Sequence, residues 1–124
     1  MTLRLLSYNI RRAGLGREEA IATVIAASAP DLVVLQEATS PPAVARVAAA
    51  AGMTQWASKP KVSVAFLSRQ PVKAWRWTRA RWARHAFLEI TLDSGAVMID
   101  GLLRIGAVIP EDPQYLDLLR LLKP

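Results

Sequence analysis

Two polar residues stand where chemistry would be informative. Glu37 closes the apolar run Leu32-Val33-Val34-Leu35, and Asn9 closes an earlier run that begins at Leu3. A carboxylate at the end of a buried strand is costly unless it is paired or bound to a cation. An asparagine beside it would add a neutral carbonyl and an amide. Such an oxygen set at the carboxyl edge of a sheet suits magnesium, which takes one or two carboxylates and completes its shell with water and substrate phosphate. The same residues also have a structural reading, with Glu37 capping the next helix and Asn9 ending its strand in a turn. Pattern alone leaves both open.

Cationic residues are the second candidate group. Sixteen Lys and Arg against ten Asp and Glu give a net charge of +6, and no Asp or Glu falls between Ala38 and Leu88. A field of that sign attracts phosphates. Arg11 and Arg12 follow Asn9 directly and are the basic residues best placed to meet a phosphate at the strand ends. Further on, Trp75, Trp77 and Trp82 interleave with Arg76, Arg79 and Arg81. Aromatic faces and guanidinium groups are the pieces that stack bases and grip phosphates, so Trp75, Arg76, Trp77, Arg79 and Arg81 form a candidate nucleic-acid surface. The stretch reads equally as a strand with core tryptophans and solvated arginines. His85 reads first as a strand residue and Asp100 as a solvated one, with a catalytic role as the alternative for each. Gly14 and Gly16 follow a strand as in a dinucleotide fingerprint, but its third glycine position holds Glu19, which weakens that reading.

The elements that must position these residues follow from period and punctuation. Leu3 to Asn9 reads as a strand with apolar residues on both faces. A loop with Gly14 and Gly16 leads to a helix whose first turn carries Glu18 and Glu19 and whose stripe is Ile21, Val24, Ile25 and Ser28, ending before Pro30. Leu32 to Leu35 reads as a buried parallel strand. The strand, helix and strand make a βαβ unit, so Asn9 and Glu37 are expected on one edge. Ser40 caps a second helix that runs through Pro41 and Pro42 to Ala51 and closes at Gly52. Strands are expected over Val62 to Leu67, Val72 to Trp77 and Ala86 to Leu92, with a hairpin turn at Asp93, Ser94 and Gly95 into Ala96 to Leu103. Asp112 and Pro113 predict a C-terminal helix carrying Leu116, Leu119 and Leu122.

The chain of 124 residues fits one domain, residues 1–124, and its hydrophobic fraction of 52% argues for a packed core. With no cysteine there is no disulfide framework and no thiol nucleophile. The N-terminal apolar stretch is too short for a signal peptide and no window suits a membrane span, so a cytoplasmic location is expected.

Three blocks resemble one family in order and approximate spacing. Leu5-Leu6-Ser7-Tyr8-Asn9-Ile10, then Pro30-Asp31-Leu32-Val33-Val34-Leu35-Gln36-Glu37, then Ala65-Phe66-Leu67-Ser68-Arg69-Gln70-Pro71 are similar to successive blocks of the endonuclease/exonuclease/phosphatase family. The resemblance implies that Asn9 is the active-site asparagine and Glu37 the magnesium-binding glutamate. It also implies an α/β fold, half of a four-layered α/β sandwich, starting with a parallel βαβ unit followed by antiparallel strands and a C-terminal helix. The family's His-Leu pair is departed from at Gly101-Leu102-Leu103, where the histidine position is Leu102. The chain ends where the Gly-Asp-Phe-Asn block would begin, so the general base and further metal contacts are expected outside it.

These readings combine into an expected magnesium-dependent phosphodiester hydrolase, with Mg2+ or Mn2+ as cofactor and a phosphodiester substrate, nucleic acid among the candidates. The chain alone is expected to be incomplete, with an uncovered apolar sheet face that is met by a homodimer partner or a complementing C-terminal segment, or else leaves the chain poorly soluble. The alternative is a non-catalytic remnant or nucleic-acid-binding module using residues 73–84.

Overall fold

In the computed structural model the described residues are 2–78, 87–93, 97–100 and 114–119. Strand β1, Thr2–Asn9, alternates its side chains between two buried layers: Leu5 packs on one side and Leu6 and Tyr8 on the other. The chain then tightens into a 3-10 turn at Arg12–Gly14 and enters helix α1, Glu18–Ser28. Ile21, Ala22 and Ile25 of α1 are buried, as the i, i+4 spacing requires. Strand β2, Leu32–Gln36, lies parallel to β1, with Leu5 opposite Leu32 and Asn9 opposite Gln36.

Helix α2, Pro41–Ala51, begins as its sequence demands. The Ala43 N–H donates to the Ser40 hydroxyl at 3.4 Å, prolines fill the first turn, and Gly52 ends the helix at φ 72°. Short strand β3, Gln55–Ala57, and strand β4, Ala65–Ser68, complete one side of the first sheet. Its order is β3-β4-β2-β1-β8, where β8 is Gln114–Leu119. Strands β5, Val72–Thr78, β6, Phe87–Leu92, and β7, Val97–Asp100, form a second, antiparallel sheet.

Three layers result. Both helices cover one face of the first sheet through Leu6, Ile21, Ile25, Val33, Leu35, Val44 and Val47. The second sheet covers the other through Leu88, Ile90 and Leu92, which meet Leu5, Leu32, Val34 and Phe66. Full burial of each such side chain is worth about 1.5–3 kcal/mol.

α1 ends unusually. Ala29 stands in the left-handed region at φ 49°, and two arginines from other elements hold its carbonyl end. Arg69 donates to the carbonyls of Pro30 at 2.9 Å and Ala29 at 2.7 Å, and Arg4 donates to that of Ser28 at 3.0 Å. Cations at this pole oppose the helix dipole that the helix's own last turn leaves unmet.

Three expectations need correction. The segment expected as a C-terminal helix is strand β8 over Gln114–Leu119, antiparallel to β1 with Leu5 opposite Leu116. Leu116 and Leu118 alternate with Asp117, and the unpaired edge of β1 rewards that period of two over the three-residue leucine spacing. Leu122 lies outside the described residues. The strand expected from Val62 starts at Ala65 and is preceded by an unforeseen β3. The sheet face expected to lie bare is covered by the second sheet, whose outward side carries the Arg76–Glu89 pair at 3.4 Å.

Candidate active site

The parallel pairing of β1 and β2 carries both strands to the same edge, with Asn9 and Gln36 as its last partners. On the face turned toward the second sheet the residues change character toward this edge. Leu5, Leu32 and Val34 are apolar and buried, and the next positions are Ser7, Gln36 and Asn9. The gap between the sheets therefore becomes polar at the strand ends.

Glu37 follows Gln36 and is exposed, with φ 57°. That left-handed backbone turns the chain out of the strand and carries a strain of about 1–2 kcal/mol for a residue with a Cβ. The loop after β1 answers it. Arg11, Arg12 and Ala13 have φ values of 55°, 46° and 61°, so successive amides face the strand ends. Arg11 N–H donates to Asn9 Oδ1 at 3.0 Å, and Arg12 N–H donates to Glu37 Oε1 at 3.2 Å. Ala13 N–H donates to the Glu37 carbonyl at 3.0 Å, and Ile10 N–H to that of Gln36 at 3.1 Å. One loop thus orients both candidate side chains with consecutive amides.

Two residues to which the sequence assigned no role at the site hold this loop. Arg17 donates through Nη2 to the carbonyls of Ile10 at 2.5 Å and Arg11 at 2.7 Å. Gly14, at φ 69°, allows the loop to lie on α1, because a Cβ there would stand 2.8 Å from Ile21 Cδ1 and 3.1 Å from Ile10 Cδ1. The glycine was visible in the sequence; nothing there separated Arg17 from any other loop arginine.

Gln36 donates through Nε2 to the Ser7 hydroxyl at 3.0 Å, while its buried Oε1 has no hydrogen-bond partner among the described residues. A buried acceptor left unmet costs about 1–3 kcal/mol. A buried oxygen of Gln36 and the carboxylate of Glu37 thus stand at consecutive positions of one strand edge, and both are hard oxygen donors of the kind a divalent cation takes. Among the described residues no group of three His, Cys, Asp or Glu forms a fuller cage.

A second loop flanks the same edge. Ala38 N–H donates to the Ser63 carbonyl at 2.7 Å and Lys61 N–H to that of Thr39 at 3.3 Å, while the Ser58 hydroxyl donates to the Ala38 carbonyl at 3.3 Å. Lys59 and Lys61 of this loop are exposed, as are Arg11 and Arg12.

The tryptophan-arginine stretch is divided by its strand. Trp75 and Trp77 oppose Ile90 and Leu88 on the inward face of β5, and Arg76 opposes Glu89 on the outward one. Trp77 donates through Nε1 to the Val64 carbonyl at 3.0 Å. Trp75 sets its ring 5.5 Å from that of Phe66 and stays 46% exposed. Arg79, Arg81, Trp82, His85 and Leu102 lie outside the described residues, as does the side chain of Asp100. Among the described residues no helix is long and apolar enough to cross a membrane.

No family model matches the sequence, and no curated protein matches it. Solved structures do. An endonuclease/exonuclease/phosphatase from Beutenbergia cavernae is 25% identical over 74% of this chain and 34% of its own, with a TM-score of 0.57. TDP2 from D. rerio, complexed with a single strand DNA product, is 17% identical over 79% of this chain and 44% of its own, with a TM-score of 0.56. Sphingomyelinase C from Streptomyces griseocarneus is 23% identical over 80% of this chain and 47% of its own, with a TM-score of 0.52. The chain spans less than half the length of each of these proteins. With its parallel β1–β2 pair, helix-covered sheet and second antiparallel sheet, this chain has the α/β fold of the endonuclease/exonuclease/phosphatase superfamily over that part of its length.

Proposed function

We propose that the β1–β2 edge is the metal-binding part of a metal-dependent phosphodiester hydrolase. The observation that carries the reading is the pairing of Asn9 and Glu37 with consecutive amides of one loop, at adjacent ends of parallel strands. Glu37 would hold Mg2+ or Mn2+, with the unmet oxygen of Gln36 lending a neutral donor nearby. Bound there, the ion supplies charge neutralisation at phosphoryl oxygens. Asn9 orients the phosphate with its side-chain amide, since its carbonyl is already committed to Arg11 N–H. The exposed Arg11 and Arg12 side chains bind the anionic oxygens. The superfamily fold and the DNA product held by one neighbour support a phosphodiester substrate, and nucleic acid above others. The general base would come from a complementing segment or a second copy of the chain.

Mn2+ titration followed by electron paramagnetic resonance, with Mg2+-dependent hydrolysis of bis(p-nitrophenyl) phosphate as second readout, tests the proposal. Glu37→Gln should weaken Mn2+ binding and remove any turnover while leaving circular dichroism unchanged. Equal Mn2+ binding by the variant and the parent, or turnover that persists in EDTA, would refute it.

A further inference from the structure

Resting on that reading, we propose that the loop 58–64 is a second phosphate-binding arm, so that Lys59 and Lys61 face Arg11 and Arg12 across Glu37 and the site takes a nucleic-acid strand several nucleotides long. Both arms are tied to the same short segment. The 10–14 loop bonds to the carbonyls of Gln36 and Glu37, and the 58–64 loop bonds to Ala38 and Thr39. The four cations thus stand on two backbones that bracket the β2 exit, and all four are exposed.

The arm is held in place rather than loosely attached. Trp77 donates its indole N–H to the Val64 carbonyl at 3.0 Å, and Lys59 Nζ lies 5.2 Å from the centroid of the same ring. Lys61 takes φ 65°, a backbone conformation that a lysine adopts only when its surroundings impose it. Trp77 is therefore a positioning residue for the arm. Its half-buried ring serves the lysine loop instead of offering a face to a base.

Charge sets the length of the ligand. A single phosphate brings one anionic group to the edge, whereas a phosphodiester strand presents successive charges, one set to each arm. The run from Ala38 to Leu88 contains no carboxylate to compete for the lysines. An anionic membrane would meet the same cations, but among the described residues the large exposed apolar side chains beside the two loops are Leu15 and Trp56 alone, one next to each arm, and interfacial anchoring needs a broader apolar face.

The test is fluorescence anisotropy of a labelled twelve-nucleotide single strand in EDTA, from 50 to 200 mM salt, for the parent chain, the double variant Lys59→Gln/Lys61→Gln, and Trp77→Phe. Each phosphate contact contributes a slope of about 0.7 in log K against log salt for single strands, so the double variant should lose about 1.4. The fourfold rise in salt should then weaken the parent about sevenfold more than the variant. Trp77→Phe, which keeps a ring and loses the N–H, should weaken binding with little change in slope. Glu37→Gln should bind the strand no worse than the parent in EDTA, because it removes a negative charge. An unchanged slope in the double variant overturns the second arm, as does tighter binding to phosphatidylglycerol vesicles than to the strand. Mn2+ binding in the double variant should match the parent, so failure of the arm and failure of the Glu37 metal site give different results.

Discussion

Replacing Glu37 by glycine separates a structural role from a functional one. At φ 57° the residue carries a strain of about 1–2 kcal/mol that glycine would remove. Against this gain, glycine enlarges the unfolded ensemble by about 0.4–1 kcal/mol and forfeits the contact from Arg12 N–H. That contact is 3.2 Å long and exposed, which places its worth near the low end of about 0.5–1.5 kcal/mol. The terms nearly cancel, so Glu37→Gly should unfold in urea within about 1 kcal/mol of the parent. Mn2+ affinity should meanwhile fall about tenfold or more, since such ions bind through only one or two carboxylates. Urea titration by circular dichroism and Mn2+ titration on one sample read both quantities. A loss of more than about 2 kcal/mol would make Glu37 a structural cap and refute the reasoning, as would undiminished Mn2+ binding.

Other substitutions probe the frame. Arg69→Ala removes two charged hydrogen bonds from the end of α1, and should lower stability by about 1–2 kcal/mol in urea; a change under about 0.5 kcal/mol would mean that solvent replaces them. Ala29→Gly should raise it by about 0.5–1 kcal/mol by relieving the left-handed residue, and any loss would contradict that account. Gly14→Ala should destabilise the chain and weaken Mn2+ binding together, because the added carbon meets Ile21 and displaces the loop that orients Asn9 and Glu37. Glu18 is hydrogen-bonded by Arg46 at 2.8 Å, which holds its carboxyl below the usual 4.5. Its folded pKa is depressed, so its contribution is present above the unfolded value and fades as pH falls through the folded one. Glu18→Gln should therefore be less stable than the parent at pH 7 and indistinguishable from it well below pH 4.5; a gap that persists in acid would remove the ion pair as the cause.

Local signals made much of this fold readable. Leu32 to Leu35, apolar throughout and rich in β-branched residues, already read as a buried strand, and Ser40, Pro41 and Gly52 bounded α2 without reference to anything distant. The meeting of Asn9 and Gln36 followed from the handedness and parallel sense of a βαβ unit. What escaped was non-local. β3 has three residues and no period of its own, and exists because β4 offers it a partner. The leucines of β8 fit either period, and only the edge of β1 decides between them. At the site, the residue types were legible but the backbone was not: glutamate and arginine rarely adopt positive φ, so nothing announced the turn that aims two amides at Asn9 and Glu37. Trp77 likewise gave no sign that its indole would tether a lysine loop.

The antiparallel placement of β8 on β1 has a bearing on biosynthesis. Thr2 pairs with Leu119, so β1 receives one of its two neighbours only after the whole intervening segment has been made. Until then one row of main-chain donors and acceptors on β1 is open to any extended segment, including that of a second nascent chain. Slow translation or a destabilised β8 should consequently show itself first as aggregates seeded at β1, rather than as loss of the helices.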